Sequence, residues 1–312
     1  MKNILIFILV CTNINLSYAI QKNGLFEVFW LHDAITFTNP PIRSVTDYVN
    51  ADGTPQIDVL TISCVKFNND VKEPYFNMTL INMITPEDIK YIKSRGITVL
   101  LSVIGTYGTG DKNIKNDGMG WSCIPPKENV RFAKWIKKHI IDHWNFDGID
   151  IDDEYYGCDA DPKLLNRTVH VMRKVLGDDI IIKKDLFEDF DVIPMIKDVL
   201  DYGTTMEYGN SFNSLINTYN NYKNLGLRDD QLMIGIQAGP VKQGAFASIE
   251  VAKKITLWQP NKSRIKPQKK GVMLFSFSQD TQQFTHSPQH SKQYPDKDDH
   301  KWQKTIAKNM YN

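Results

Sequence analysis

One stretch of the chain has both the residue types and the spacing to do chemistry: Phe146-Asp147-Gly148-Ile149-Asp150-Ile151-Asp152-Asp153-Glu154-Tyr155. Side chains alternate along a strand, so Asp150, Asp152 and Glu154 share one face while Ile149 and Ile151 share the other. Carboxylates that close cannot all ionise, because each charge raises the pKa of its neighbours. Such a stack keeps a protonated acid beside a residual carboxylate at neutral pH. Cleaving a glycosidic bond needs that combination, an acid to protonate the leaving oxygen and an anion to balance positive charge at the sugar. Two other fates of an acidic run fit less well. A solvated loop would not carry isoleucine at alternate positions, and a calcium loop beginning at Asp150 would need glycine where Tyr155 stands.

Elements of a repeating kind must position this stretch. From about residue 57 the pattern is an apolar β-rich run, a loop, then an amphipathic helix. Strands are predicted at Phe26 to Leu31, Ile57 to Ile62, Ile97 to Ile104, Phe146 to Glu154, Ile180 to Ile182, Gly203 to Tyr208, Leu232 to Ile236 and Val272 to Phe275. The stretch Tyr75 to Ile84 alternates and reads as a hairpin extension. Helices are predicted after Thr85-Pro86, from Pro126 to Trp144, from Pro162 to Leu176, from Ala245 to Trp258, and in the tail around Trp302, Ile306 and Met310. Eight alternating units in one chain predict an α/β fold, a single (β/α)8 TIM barrel. An open doubly wound sheet lacks support, since no G-x-G-x-x-G follows the first strand. In a barrel the outermost acid, Glu154, falls at the C-terminal strand end, where active sites are built.

Composition narrows the class. The 312 residues are 42% hydrophobic, with 37 Lys+Arg against 36 Asp+Glu, which gives a net charge of +1. That is too apolar and too neutral for a disordered chain, and the absence of a basic excess argues against a nucleic-acid partner. Met1-Lys2-Asn3, the apolar run Ile4 to Val10 and the small residues of Ser17-Tyr18-Ala19 have the layout of a secretory signal peptide. Residues 1–19 are therefore expected to be removed, leaving 20–312 as one catalytic domain, secreted or periplasmic. The apolar run is shorter than the roughly 20 residues that span a bilayer, so no stable membrane insertion is expected. Three cysteines remain after cleavage and cannot all pair. Cys64 lies in an apolar strand-like run and reads as a buried free thiol. Cys123 and Cys158 both follow strands and are the better candidates for a disulfide, although spacing alone does not fix the connectivity. Gly105-Thr106-Tyr107-Gly108-Thr109-Gly110 lacks the Gly-Lys-Ser/Thr ending of a phosphate loop and reads as a substrate loop. The seven histidines are scattered and none opens a His-Glu-x-x-His motif, so neither a metal nor another cofactor is expected.

The acidic stretch also carries a resemblance. Asp147-x-x-Asp150-x-Asp152-x-Glu154 resembles the D-x-x-D-x-D-x-E signature of glycoside hydrolase family 18. Chitinases of that family usually place Trp between the last Asp and Glu. Here Asp153 stands there, and Asp152-Asp153-Glu154-Tyr155 is similar to the endo-β-N-acetylglucosaminidase subgroup of Endo H and Endo F. Further likeness lies in Lys66-Phe67-Asn68, Tyr75-Phe76-Asn77, the run from Gly96 to Gly105, Asp201-Tyr202-Gly203 with Tyr208-Gly209, and Gly271-Val272. It covers the chain from about Phe26 to the C-terminus, weakly after Gly209.

The resemblance implies a substrate-assisted mechanism, an exception to the two-carboxylate scheme. Glu154 would protonate the glycosidic oxygen, Asp152 would hold the substrate's acetamido N–H, Asp150 would share a proton with Asp152, and Tyr208 would bond the acetamido carbonyl. Asp147 completes the motif and is carried over as a substrate-binding position. Trp121, Tyr155 and Tyr156 fall on rim loops, where aromatics either stack on sugar faces or pack inward. The implied substrate is an N-linked glycan of a glycoprotein, cut between its two core N-acetylglucosamines, with chitin oligosaccharides as the alternative. A monomer is expected; a non-catalytic glycan-binding barrel would be the alternative of a different class. The chain departs from the subgroup at Thr204-Thr205, at Ser276-Phe277, and at Lys183-Lys184-Asp185, whose lysines read as surface residues.

Overall fold

The computed structural model describes residues 24–31, 40–78, 83–107, 118–154, 157–159, 161–206, 208, 211–239, 246–261, 268–281 and 300–311. Its strands are β1 (Leu25–Leu31), β2 (Val59–Phe67), β3 (Phe76–Asn77), β4 (Thr98–Ile104), β5 (Thr106–Tyr107), β6 (Gly118–Met119), β7 (Gly148–Asp152), β8 (Ile181–Leu186), β9 (Tyr202–Thr205), β10 (Leu232–Gln237) and β11 (Gly271–Phe275). Eight of them, β1, β2, β4 and β7 to β11, pair in parallel in chain order, and β1 pairs with both β2 and β11 to close the barrel. Helices α1 (Pro86–Ser94), α2 (Asn129–Ile136), α3 (Pro162–Leu176), α4 (Ile193–Ile196), α5 (Phe212–Asn224), α6 (Ile249–Leu257) and α7 (Lys301–Met310) accompany it. The fold is the expected (β/α)8 barrel.

Strand alternation separates two cores. Ile149 and Ile151 on the outer face of β7 belong to the layer between strands and helices, with Leu165 and Val169 of α3. Each fully buried side chain of this size contributes about 1.5–3 kcal/mol. A separate cluster of Phe29, Val59, Leu100, Tyr202, Met233 and Met273 fills the barrel interior. The wall beside the acidic stretch depends on Gly148: a Cβ there would collide with the Ile181 carbonyl oxygen and side chain. Its absence lets β7 and β8 pair with Asp150 opposite Lys183.

Local signals set the helix starts. Thr85 caps α1 by accepting from Asp88 N–H at 3.2 Å, while the Asp88 carboxylate accepts from Thr85 N–H at 2.8 Å. That reciprocal box, with Pro86 at the first position, is worth about 1 kcal/mol. Asp161 caps α3 one way only, accepting from Lys163 N–H at 2.8 Å, and Gly177, at φ +88°, ends it.

Several boundaries differ from the sequence reading. The predicted helix from Pro126 begins at Asn129, because Glu128 N–H closes a turn on Pro125 C=O, and it widens into a π-helix over Lys137–His143. The Tyr75 hairpin contributes Phe76–Asn77, antiparallel to β2. The fourth barrel strand runs over Gly148–Asp152 rather than to Glu154, and the sixth ends at Thr205 before Tyr208. The fifth continues past Ile182 to Leu186. Lys183 and Lys184 are therefore wall residues, fully buried, and not surface lysines. The segment expected to be a signal peptide and residues 108–110 of the expected substrate loop lie outside the described residues, as does the side chain of Cys64 in β2. Among the described residues no helix is long and apolar enough to cross a membrane.

Candidate active site

β7 delivers its acids in order. Asp150 and Asp152 point into the barrel and are buried, and Glu154 follows the strand end at the C-terminal rim, half-buried. The Glu154 carbonyl accepts from Gly105 N–H at 3.0 Å, which ties the end of β7 to the end of β4. Asp153 faces the other way, where its carboxylate accepts from Ser122 N–H at 3.1 Å and from the Ser122 hydroxyl. Cys123, next to Ser122, is bonded to Cys158 with the Cα atoms 6.1 Å apart. The segment carrying Glu154 is thus anchored by a backbone bond on one side and by the Asp153–Ser122 pair on the other.

Below the rim lies a charge cluster. Lys183 of β8 extends into the barrel, with Nζ 2.8 Å from Glu27 Oε1, 3.0 Å from Asp185 Oδ1 and 3.3 Å from Asp150 Oδ1. Glu27 of β1 also accepts from the Thr61 hydroxyl at 2.6 Å and from the Tyr202 hydroxyl at 3.1 Å. Lys184 turns to the outer side, 3.1 Å from Asp189, and donates to the Asp185 carbonyl at 3.0 Å. Burial alone would lower both lysines, yet surrounding carboxylates hold both above their ordinary pKa. For Lys183 these are Asp150, Asp185 and Glu27; for Lys184 they are chiefly Asp189 and Asp153.

The same enclosure pushes the acids up. Asp152 sits well above the usual carboxylate range because of burial first, then the charges of Glu154 and Asp150, with Lys184 and Lys183 opposing. Asp185 is raised well above it by burial and by Asp150. Glu154 is raised by burial, partly offset by Lys184. Tyr208 lies half-buried with its ring stacked on Phe275, the centroids 5.4 Å apart. Burial, followed by Asp185, Asp152 and Glu154, raises its phenol well above the ordinary value, so it remains a donor.

The structure brings Asp150, Asp152, Glu154 and Tyr208 to one end of the barrel, but it separates two of the sequence candidates from them. Asp147 precedes β7 at the opposite, N-terminal end. There its carboxylate accepts from Val99 N–H at 2.8 Å and pairs with Lys93 at 2.8 Å. It is a structural clamp on the bottom of the barrel and is not placed to touch substrate. Trp121 is fully buried, donates Nε1–H to the Val103 carbonyl at 2.7 Å and packs edge-on against Phe67 and Phe132. It is a core residue beneath the rim. Tyr155 and Tyr156 lie outside the described residues. The sequence reading missed Glu27, Lys183 and Asp185. Their signal was a charge on alternate positions of otherwise apolar strands, in phase with Asp150.

Among the described residues no group of three His, Cys, Asp or Glu is arranged to hold a metal. The chemistry available from these side chains is proton transfer at a rim acid, backed by buried carboxylates that share protons.

Carboxylates stacked along one strand and emerging at the C-terminal face of a closed (β/α)8 barrel are an arrangement suited to a glycoside hydrolase. Residues 55–241 match the model of the endo-β-N-acetylglucosaminidase EndoS TIM-barrel domain, and the chain belongs to that family, within glycoside hydrolase family 18. No curated protein matches the sequence at a significant level. Solved structures of the same fold include an endo-β-N-acetylglucosaminidase from Cordyceps militaris, with a TM-score of 0.62 and 16% identity over 94% of this chain and 92% of that one. A family 18 chitinase from Chromobacterium violaceum has a TM-score of 0.62 and 16% identity over 93% and 84%. A fungal family 18 endo-β-N-acetylglucosaminidase has a TM-score of 0.61 and 12% identity over 92% and 98%.

Proposed function

We propose that the chain is a secreted, monomeric endo-β-N-acetylglucosaminidase that hydrolyses the β-1,4 bond between the two core N-acetylglucosamines of N-linked glycans. The reading rests above all on the single inward face shared by Asp150, Asp152 and Glu154, of which Glu154 alone reaches the rim. Secretion is supported by the N-terminal segment and by the Cys123–Cys158 bond, since disulfides persist in oxidising compartments.

The roles follow from the protonation tendencies. Glu154, whose hold on its proton is strengthened by burial, gives that proton to the glycosidic oxygen. As that bond breaks, the carbonyl oxygen of the substrate's 2-acetamido group bonds to the anomeric carbon and forms an oxazolinium ion. Asp152 passes its proton to Asp150 and, now anionic, accepts the acetamido N–H and balances the positive charge. Tyr208, held neutral, donates to the acetamido carbonyl and keeps it in line. Water then attacks the anomeric carbon, its proton returns to Glu154, and the configuration is retained.

The endoglycosidase reading over a chitinase is supported by the family match and by Asp153, which turns away from the barrel interior to bind Ser122 where chitinases carry Trp. A second structure of the Cordyceps protein is a complex with fucosyl-N-acetylglucosamine-Asn. Chitin oligomers are the second reading, because chitinases share this fold equally well and one of them, from Ostrinia furnacalis, is in complex with penta-N-acetylchitooctaose. Digesting a high-mannose glycoprotein and reading its intact mass separates the two. The expected product keeps one N-acetylglucosamine on each Asn and is absent with Glu154→Gln. Cleavage of chitin oligomers alone would favour the second reading.

A further inference from the structure

The barrel interior holds more charge than a three-acid mechanism uses. Glu27, Asp150, Asp152 and Asp185 share an enclosure with one ammonium, that of Lys183, and all five side chains are buried. Ionising all four carboxylates would leave three uncompensated negative charges away from water, so the enclosure retains protons. The acceptors of Glu27 are already filled by Lys183, Thr61 and Tyr202. Asp150 is the register partner of Lys183 across β7 and β8. Lys183 Nζ also sits 4.3 Å from the Phe29 ring centroid, which fixes the ammonium in place. Among the described residues no cation pairs with Asp152. β4, β10 and β11 carry no charged residue, and the one on β2, Lys66, is exposed.

We infer that Lys183 is a positioning residue for the proton transfers of this site: set against Glu27 and Asp150, it confines the retained protons to Asp152 and Asp185 and leaves Asp150 as the acceptor. Asp185 is then a neutral carboxyl. Its Oδ1 lies 3.0 Å from the Lys183 ammonium, which Asp150 also faces at 3.3 Å. The elevated affinity of Asp152 and Asp185 for protons agrees with this distribution. During turnover the proton on Asp152 moves to Asp150, one O–H bond breaking as the other forms, and it returns when the oxazolinium is hydrolysed. The catalytic consequence rests on the hydrolase reading; the proton distribution does not.

Infrared titration of the C=O stretch of protonated carboxyls tests the distribution without any substrate. Lys183→Met is expected to add one neutral carboxyl to the band at neutral pH, and Asp185→Asn to remove one. In parallel, the acidic limb of the kcat profile of Lys183→Met should move up by about one pH unit or more, because the lost cation no longer favours the charged carboxylates. A purely structural lysine would lower stability and leave both the band and the limb where they were, which would overturn the inference. Should Lys183→Met fail to fold, Asp185→Asn decides alone, and an unchanged band in that variant overturns it. Failure of the wild-type protein to cleave any glycan would sink the hydrolase reading, while the infrared comparison would still decide this one.

Discussion

The two sides of the wall formed by β7 and β8 carry the same residue types to different ends. On the inner side Asp150, Asp152, Asp185 and Glu27 outnumber Lys183, and protons must be kept to balance them. On the outer side Lys184 meets Asp189, and Asp153 is satisfied by Ser122, so each charge or lone pair has a partner close at hand. Lys183 and Lys184 are neighbours in the chain, yet alternation sends them to opposite faces. Excess carboxylate in an enclosure raises the proton affinity of its acids, whereas balance produces a lock. The lock holds the rim segment on which Glu154 stands.

The largest effect that breaks this comparison is on the inner side. Glu154→Gln should lower kcat by about 10³-fold, or about 4 kcal/mol in the barrier, with the melting temperature little changed because the residue is half-exposed. Comparable loss of stability and activity together would mean that Glu154 is structural. On the outer side, Lys184→Met removes the cation paired with the Asp189 carboxylate and should cost about 3 kcal/mol of stability by urea unfolding. Its pH–rate profile should also move up, because Lys184 partly offsets the raised proton affinity of Glu154 and Asp152. An unmoved profile would show that Lys184 acts on stability alone.

Acid dependence sharpens the contrast. Asp152 and Asp185 bind protons more tightly in the folded protein than their ordinary value of 3.8. Between 3.8 and the raised values the folded state therefore holds more protons than the unfolded state, and their contribution to stability falls as pH rises, by up to about 1.4 kcal/mol per unit per group. Asp185→Asn should give a shallower fall in unfolding free energy over that window. An identical slope would show that Asp185 is not protonated there. The smallest effect is a control on neither face: Thr85→Ala removes the cap of α1 and should cost about 1 kcal/mol, with kcat and its pH profile unchanged.

Much of this was legible in the sequence for physical reasons. Apolar runs such as Ile97 to Ile104 are what strands covered on both faces require, and the Thr85-Pro86 and Asp161-Pro162 pairs announce helix starts by the bonds they go on to make. The Asp150-Ile151-Asp152 alternation gave both the strand and its facing. What escaped were partnerships between distant strands. A lysine after three isoleucines reads as a strand end because burying it unpaired would be costly. Nothing local shows that Glu27, 156 residues away in the chain, waits across the barrel. Asp147 was misread, and Trp121 was left open between two fates, for a related reason: top against bottom of the barrel, and rim against core, are decided by Val99, Lys93 and Val103, which lie elsewhere in the chain.

The central claim is that the inner-side carboxylates support attack by the substrate's own acetamido group, and product stereochemistry tests it most directly. Proton NMR of the first-formed reducing N-acetylglucosamine end, taken before mutarotation, on whichever of N-glycan or chitin oligomer is cut, should show the β-anomer, as retention through an oxazolinium requires. An α-anomer formed first would mean direct displacement by water, and would contradict the proposed roles of Asp152, Asp150 and Tyr208.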